Sequence, residues 1–184
     1  MRILLVFATV EGQTRKIATH IAERLSGAGH DVDLVDAADI KAAPAAESFE
    51  AAIIAAPVHI STYPVPLRRF VKNNAETLMA RPGAFVSVSL TAAMEDDSEV
   101  AELADIVEKF SQETGWWPVS VHHAAGALRY TEYDFFRRWM LKRIAEKEGG
   151  PTDTSRDHEF TDWAALDEFI DGFVAQAPDV AGKI

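Results

Sequence analysis

The sequence predicts an open, doubly wound α/β sheet of five parallel strands in the order 2-1-3-4-5. Three observations lead there. Short apolar runs of strand length recur along the chain, each run is followed by a stretch with helical periodicity, and the first run passes directly into a short loop of Gly and Thr before its helix. Strands that read apolar throughout are covered on both faces, and strict strand–helix alternation requires parallel crossovers.

The elements follow in order. Arg2–Phe7 is nearly all apolar and reads as a buried first strand. Gln13–Leu25 follows as a helix, with Ile17, Ile21 and Leu25 on one face and Gly27 and Gly29 ending it. Asp31–Asp36 alternates Val32 and Leu34 with acids, as a strand near a sheet edge does. Ala51–Ala56 is a fully apolar strand, and Pro66 opens a helix expected to run to Met79. Ala84–Ser89 is the next strand, and Glu99–Glu113 is a helix with Leu103, Ile106, Val107 and Phe110 inward. Pro118–Ala124 is the fifth strand, and a last helix covers Asp162 to Ala175, with Trp163, Leu166, Phe169, Ile170 and Phe173 on its apolar face. The chain reads as a single domain over 1–184.

Thr9, Val10, Glu11, Gly12, Gln13 and Thr14 form the loop after the first strand. Free N–H groups and the dipole at a helix start attract a phosphate, and Thr hydroxyls and a Gly let the loop close on its oxygens. The loop has no Lys after its Gly, so it is not a Walker A loop, and its single Gly excludes the dinucleotide fingerprint. A loop binding a phosphate monoester through neutral donors remains. In a sheet of this order, ligands sit at the carboxyl ends of strands 1 and 3. Ala8–Thr14, Pro57–Tyr63 and Ser89–Asp97 therefore converge on one place.

Composition narrows the partners. Against 29 acidic side chains stand 18 Lys and Arg, for a net charge of -11, which argues against nucleic-acid binding because that needs a basic face. With no cysteine there is no disulfide, thiolate metal site or cysteine nucleophile, and no metal site is expected. No secretory leader and no membrane-spanning run is read, so a cytoplasmic location is expected. His122 and His123 are adjacent on a strand, point to opposite faces and read as structural.

One segment exceeds the minimal fold: an insert of about 37 residues, roughly Ala125–Thr161. Phe135, Phe136, Trp139, Met140 and Ile144 make an apolar stripe at helical spacing, beside Arg137, Arg138, Lys142 and Arg143. Such a stripe suits an interfacial helix near anionic lipid, or a helix covering a sheet edge or a second subunit.

The loop TVEGQTR, the segment AAPVHISTYPVPLRRFVKNNAETL, the run SVSL, and GALRY with the later GGPTDTSRDHEFTDW together resemble the menaquinone-dependent protoporphyrinogen IX oxidases (dehydrogenases). These are small FMN proteins of flavodoxin fold that serve haem biosynthesis, and the likeness spans nearly the whole chain. The resemblance implies a flavodoxin-like fold with FMN as cofactor. It also implies oxidation of protoporphyrinogen IX to protoporphyrin IX, with a quinone as acceptor. The flavin carries that chemistry, so no catalytic side chain is required. The resemblance places the FMN phosphate on Thr9–Thr14. Pro57, Val58, His59, Ile60, Ser61 and Tyr63 would flank the flavin ring, with Tyr63 as the stacking aromatic. Ser89, Leu90, Thr91 and Ala92 would offer backbone groups to its pyrimidine edge. Arg137, Arg138, Lys142 and Arg143 become candidate substrate residues, and peripheral contact with the inner face of the cell membrane and self-association stay open. A flavodoxin-type electron carrier and an NAD(P)H:quinone reductase are the alternatives.

Overall fold

The computed structural model describes residues 1–42, 48–93, 97–128 and 158–181. Strands β1 (Arg2–Phe7), β2 (Asp31–Asp36), β3 (Ala51–Pro57), β4 (Gly83–Ser89) and β5 (Ser120–Ala125) form one parallel sheet in the order β2-β1-β3-β4-β5. This is the order the sequence predicts, and every pairing in it is parallel.

Strand alternation divides the apolar side chains between two cores, one on each face of the sheet. Ile3, Leu5 and Phe7 of β1 pack with Ile53 and Val86 against α1 (Gln13–Gly27) and the last helix, α5 (Trp163–Ala181). Leu4 and Val6 face the other way, with Ile54 and Phe85. There they meet α2 (Val65–Asn73), α3 (Ala75–Met79) and α4 (Asp97–Thr114). Central strands covered on both sides lack exposed positions, as in β4, where every residue is buried. Edge strand β2 has none fully buried.

The helix expected from Pro66 to Met79 is two helices. Asn74 separates them: its side-chain amide donates to the Phe70 carbonyl at 2.9 Å, and its backbone N–H also turns back to Phe70 and Val71. A side chain that competes for helix carbonyls favours a break. The fifth strand starts at Ser120 rather than Pro118.

The described ends of the insert return to one place. Ala127–Leu128 (β6) pairs antiparallel with His158–Glu159 (β7). Thr161 donates its hydroxyl to the Ala125 carbonyl at 2.7 Å and accepts from the Gln13 side-chain amide at 2.9 Å. Lys16 meets Glu159 at 2.5 Å. The stem of the insert is thus tied to the first turns of α1. Helices α1 and α5 are joined further by Arg24 with Asp167 and Asp171, and by His20 with Asp167. Among the described residues, no helix is long and apolar enough to cross a membrane.

The two β5 histidines give a pH signature. His122 stacks on Phe169 with ring centroids 5.0 Å apart. Burial, with the neighbouring His123 adding to it, holds its pKa below the ordinary value, and burial does the same to His123. The folded state therefore prefers both rings neutral, while the unfolded chain takes up protons first as pH falls. Their contribution is complete above the unfolded pKa of about 6.5 and is lost as pH falls through it toward the folded values. The urea midpoint should decline as pH falls below about 6.5, and His122→Gln with His123→Gln should flatten that slope.

Candidate functional site

Helix α1 begins without a side-chain cap. Its N-cap is Gly12, at φ 97°, a left-handed conformation that side-chain-bearing residues adopt at a cost. The first intrahelical bond runs from the Lys16 N–H to the Gly12 carbonyl at 3.1 Å, leaving the N–H groups of Gln13, Thr14 and Arg15 ahead of it at the helix start. No acidic residue lies in the first turn. The Gly12 N–H donates to the Thr9 hydroxyl oxygen at 2.9 Å, which folds the loop into a closed turn. These donors are neutral and oriented, and their dipole favours an anion.

Beside this turn lies a cavity of about 290 Å³ at the carboxyl ends of β1, β3 and β4, near the lower end of the ~300–1,000 Å³ typical of small-molecule sites. The three loops meet there as the strand order requires. Val10, Glu11, Gln13 and Thr14 come from the first loop, Pro57, Val58, His59, Ile60 and Ser61 from the second, and Ser89, Leu90 and Thr91 from the third. Thr9 and Gly12 shape the first loop without lining the cavity. Ala92 is also off the wall: its N–H caps the Ser89 hydroxyl at 3.0 Å. Arg137, Arg138, Lys142 and Arg143 lie outside the described residues, as does the whole stripe from Phe135 to Ile144.

Tyr63 corrects the sequence expectation. It does not stack at the cavity but is 2% exposed in the core, packed edge-on against Phe85 and Phe110 at 5.0 and 4.9 Å between centroids. Its hydroxyl is 2.8 Å from that of buried Ser87, and burial pushes the phenol up to about 12. An aromatic with its one polar atom paired is better placed against two other buried rings than at a wet rim.

The turn before it explains the inversion. His59 and Thr62 exchange both backbone hydrogen bonds, at 2.8 and 3.2 Å, around Ile60 and Ser61 at φ 50° and 54°. This is a two-residue hairpin turn with both central residues left-handed, a geometry that ordinarily selects Asn and Gly. It reverses the chain, so Ile60 projects into solvent at 85% exposure while Tyr63 enters the core. A β-branched residue held there stores roughly 1–3 kcal/mol.

Three further walls were not singled out from the sequence: Val88 on β4, Gly126 after β5, and Glu102, Leu103 and Ile106 on α4. Leu103 and Ile106 read as ordinary core residues because their period is that of any amphipathic helix. That α4 starts at the ligand end of the sheet was the available signal. Glu11 is half-buried in the wall, and with Glu102 it makes that wall acidic. Together, an oriented anion site at one end and a narrow, largely apolar slot at the other fit a phosphorylated cofactor with a flat ring.

The flavodoxin domain family matches residues 4–155. A protein named protoporphyrinogen IX dehydrogenase (quinone) from Escherichia coli strain K12 is 33% identical over 169 residues, covering 92% of this chain and 92% of its own length. A protein of the same name from Leishmania major is 32% identical over 175 residues, covering 95% of this chain and 75% of its own. The solved structure of a short-chain flavodoxin associated with a PDU bacterial microcompartment superposes with a TM-score of 0.56 at 14% identity, covering 96% of this chain and 99% of that one. That last likeness concerns the fold alone.

Proposed function

The chain belongs to the flavodoxin domain family and, within it, to the protoporphyrinogen IX dehydrogenases, and from that premise we propose that it binds FMN and oxidises protoporphyrinogen IX to protoporphyrin IX, with a quinone as electron acceptor. The observation that carries this reading is the near-full-length match. At 92% coverage, too little of the chain is left over to exclude the insert, which a simple electron carrier has no need of.

The cavity supports FMN by its chemistry. The uncapped start of α1 and the Thr14 hydroxyl would hold the phosphate, and the Pro57–Ser61 and Ser89–Thr91 segments would bracket the ring. FMN bound there would supply the two-electron acceptor for each dehydrogenation. The chain's own part is to orient the ring, limit access to it and set the charge around it. Glu11 and Glu102 in the wall oppose added negative charge on a reduced ring and so favour its giving electrons up. His59, at the mouth, is a candidate hydrogen-bond partner of the ring. Arg137, Arg138, Lys142 and Arg143 of the insert remain proposed contacts to the substrate or to anionic lipid at the membrane face.

The test is anaerobic incubation of FMN-loaded protein with protoporphyrinogen IX and a menaquinone analogue, following porphyrin fluorescence. A rate that needs both protein and quinone is the expected result. Normal FMN binding with no porphyrin formed would instead favour the electron carrier.

A further inference from the structure

Two features around the second loop call for more than a cofactor to explain them. The first is Ile60 itself, strained at φ 50° and 85% exposed at the cavity mouth. Asn or Gly would relax the turn and Ile is solvated there, so neither stability nor solubility explains it. Strain kept at a ligand cavity points to use. The chain then enters α2 at Val65, which is 53% exposed.

The second feature is charge. Helical geometry puts Val65, Arg69 and Lys72 on one face of α2, with Arg69 about 6 Å and Lys72 about 10 Å further along the axis. Both cations are exposed. Among the described residues, Arg2, Arg15, Lys16, Arg24, Arg68 and Lys109 have carboxylate partners and Arg81 donates to the Phe49 and Thr77 carbonyls, whereas Arg69 and Lys72 have no partner. In a chain of net charge -11, two adjacent cations without a partner mark a place where an anion from outside is welcome.

We propose that this face is the seat of the substrate: Ile60 and Val65 lie under the apolar macrocycle, and Arg69 and Lys72 meet the two propionates on its edge. The proposal rests on the reading above that the substrate is a porphyrinogen. The acidic cavity wall supports the orientation, since Glu11 and Glu102 would repel propionates directed inward. The propionate edge therefore points away along α2, and the ring edge that reacts points to the cofactor. Arg68, held to Glu113 at 2.6 Å, takes no part.

The test uses the stable product as probe. Protoporphyrin IX and its dimethyl ester, which lacks the two charges, are titrated against FMN-loaded protein by porphyrin fluorescence. Arg69→Glu with Lys72→Glu should raise the Kd of the acid about ten-fold and that of the ester less than about two-fold. Val65→Ser, at an exposed position outside the cavity wall, should raise both by about five-fold while FMN affinity holds. An unchanged acid Kd in the double variant overturns the seat, as does a wild type that binds neither probe. Unchanged Kd values for both probes in Val65→Ser likewise overturn it. If the probes behave as expected but wild-type protein does not turn over protoporphyrinogen, the seat stands and the assigned reaction fails. Normal turnover by wild-type protein, with variants that bind both probes as it does, overturns the seat and leaves the reaction standing.

Discussion

Gly12→Ala is expected to loosen FMN about ten-fold or more, while Gly29→Ala leaves the FMN Kd within about two-fold. Both glycines are left-handed, at φ 97° and 87°, and a side chain at either costs about 1–2 kcal/mol in backbone strain. Gly29 follows the far end of α1, where an added Cβ meets nothing within 4 Å. It therefore reports strain alone. Gly12 is the N-cap at the proposed phosphate turn, so relief of its strain tilts the N–H groups of Gln13 and Thr14 away from the anion. Unfolding in urea and flavin titration separate the two. Comparable losses of stability should accompany very different losses of affinity. Equal FMN affinity in the two variants would mean that the phosphate is not held at this turn.

The sheet was legible because its information is local. β1 after Arg2 and β3 are apolar, β4 adds only two small serines, and a sheet covered by helices on both faces buries such strands. The phosphate turn was legible for the same reason, being contiguous with β1. The rest of the cavity depends on chain reversals and on what packs across the sheet. Neither Ile60 nor Ser61 is the Asn, Asp or Gly that a turn with two left-handed residues selects, so the sequence does not announce the hairpin that sends Tyr63 inward. The destination of Tyr63 is set by Phe85 and Phe110, the second 47 positions later in the chain. The split at Asn74 turns on one side-chain hydrogen bond competing with a helix, a balance that pattern reading does not weigh. Glu102 was passed over because an acid on an amphipathic helix is normally a solvated one.

Tyr63 supplies the sharpest contrast between the two readings of the second loop. As a core residue at 2% exposure, its truncation to Ala should cost about 3–5 kcal/mol, the range for a buried aromatic. Tyr63→Phe should cost about 1 kcal/mol, because the Ser87 hydroxyl, fully buried, loses its partner. FMN affinity should hold within about two-fold in the Phe variant, since the ring that packs against Phe85 and Phe110 is retained. A stacking Tyr63 would behave in the opposite way, with little stability lost in either variant and FMN loosened sharply by Ala. Urea midpoints with flavin titrations on the same samples distinguish these patterns. With Tyr63 inside, the side chains of this loop that face the proposed ring are Val58, His59 and Ile60. An aliphatic and imidazole cover would leave the outer face of a ring bound there open to a second flat molecule, where a fixed aromatic would occupy it. Such an opening would suit a dehydrogenase of a bulky macrocycle, and an electron carrier could dispense with it.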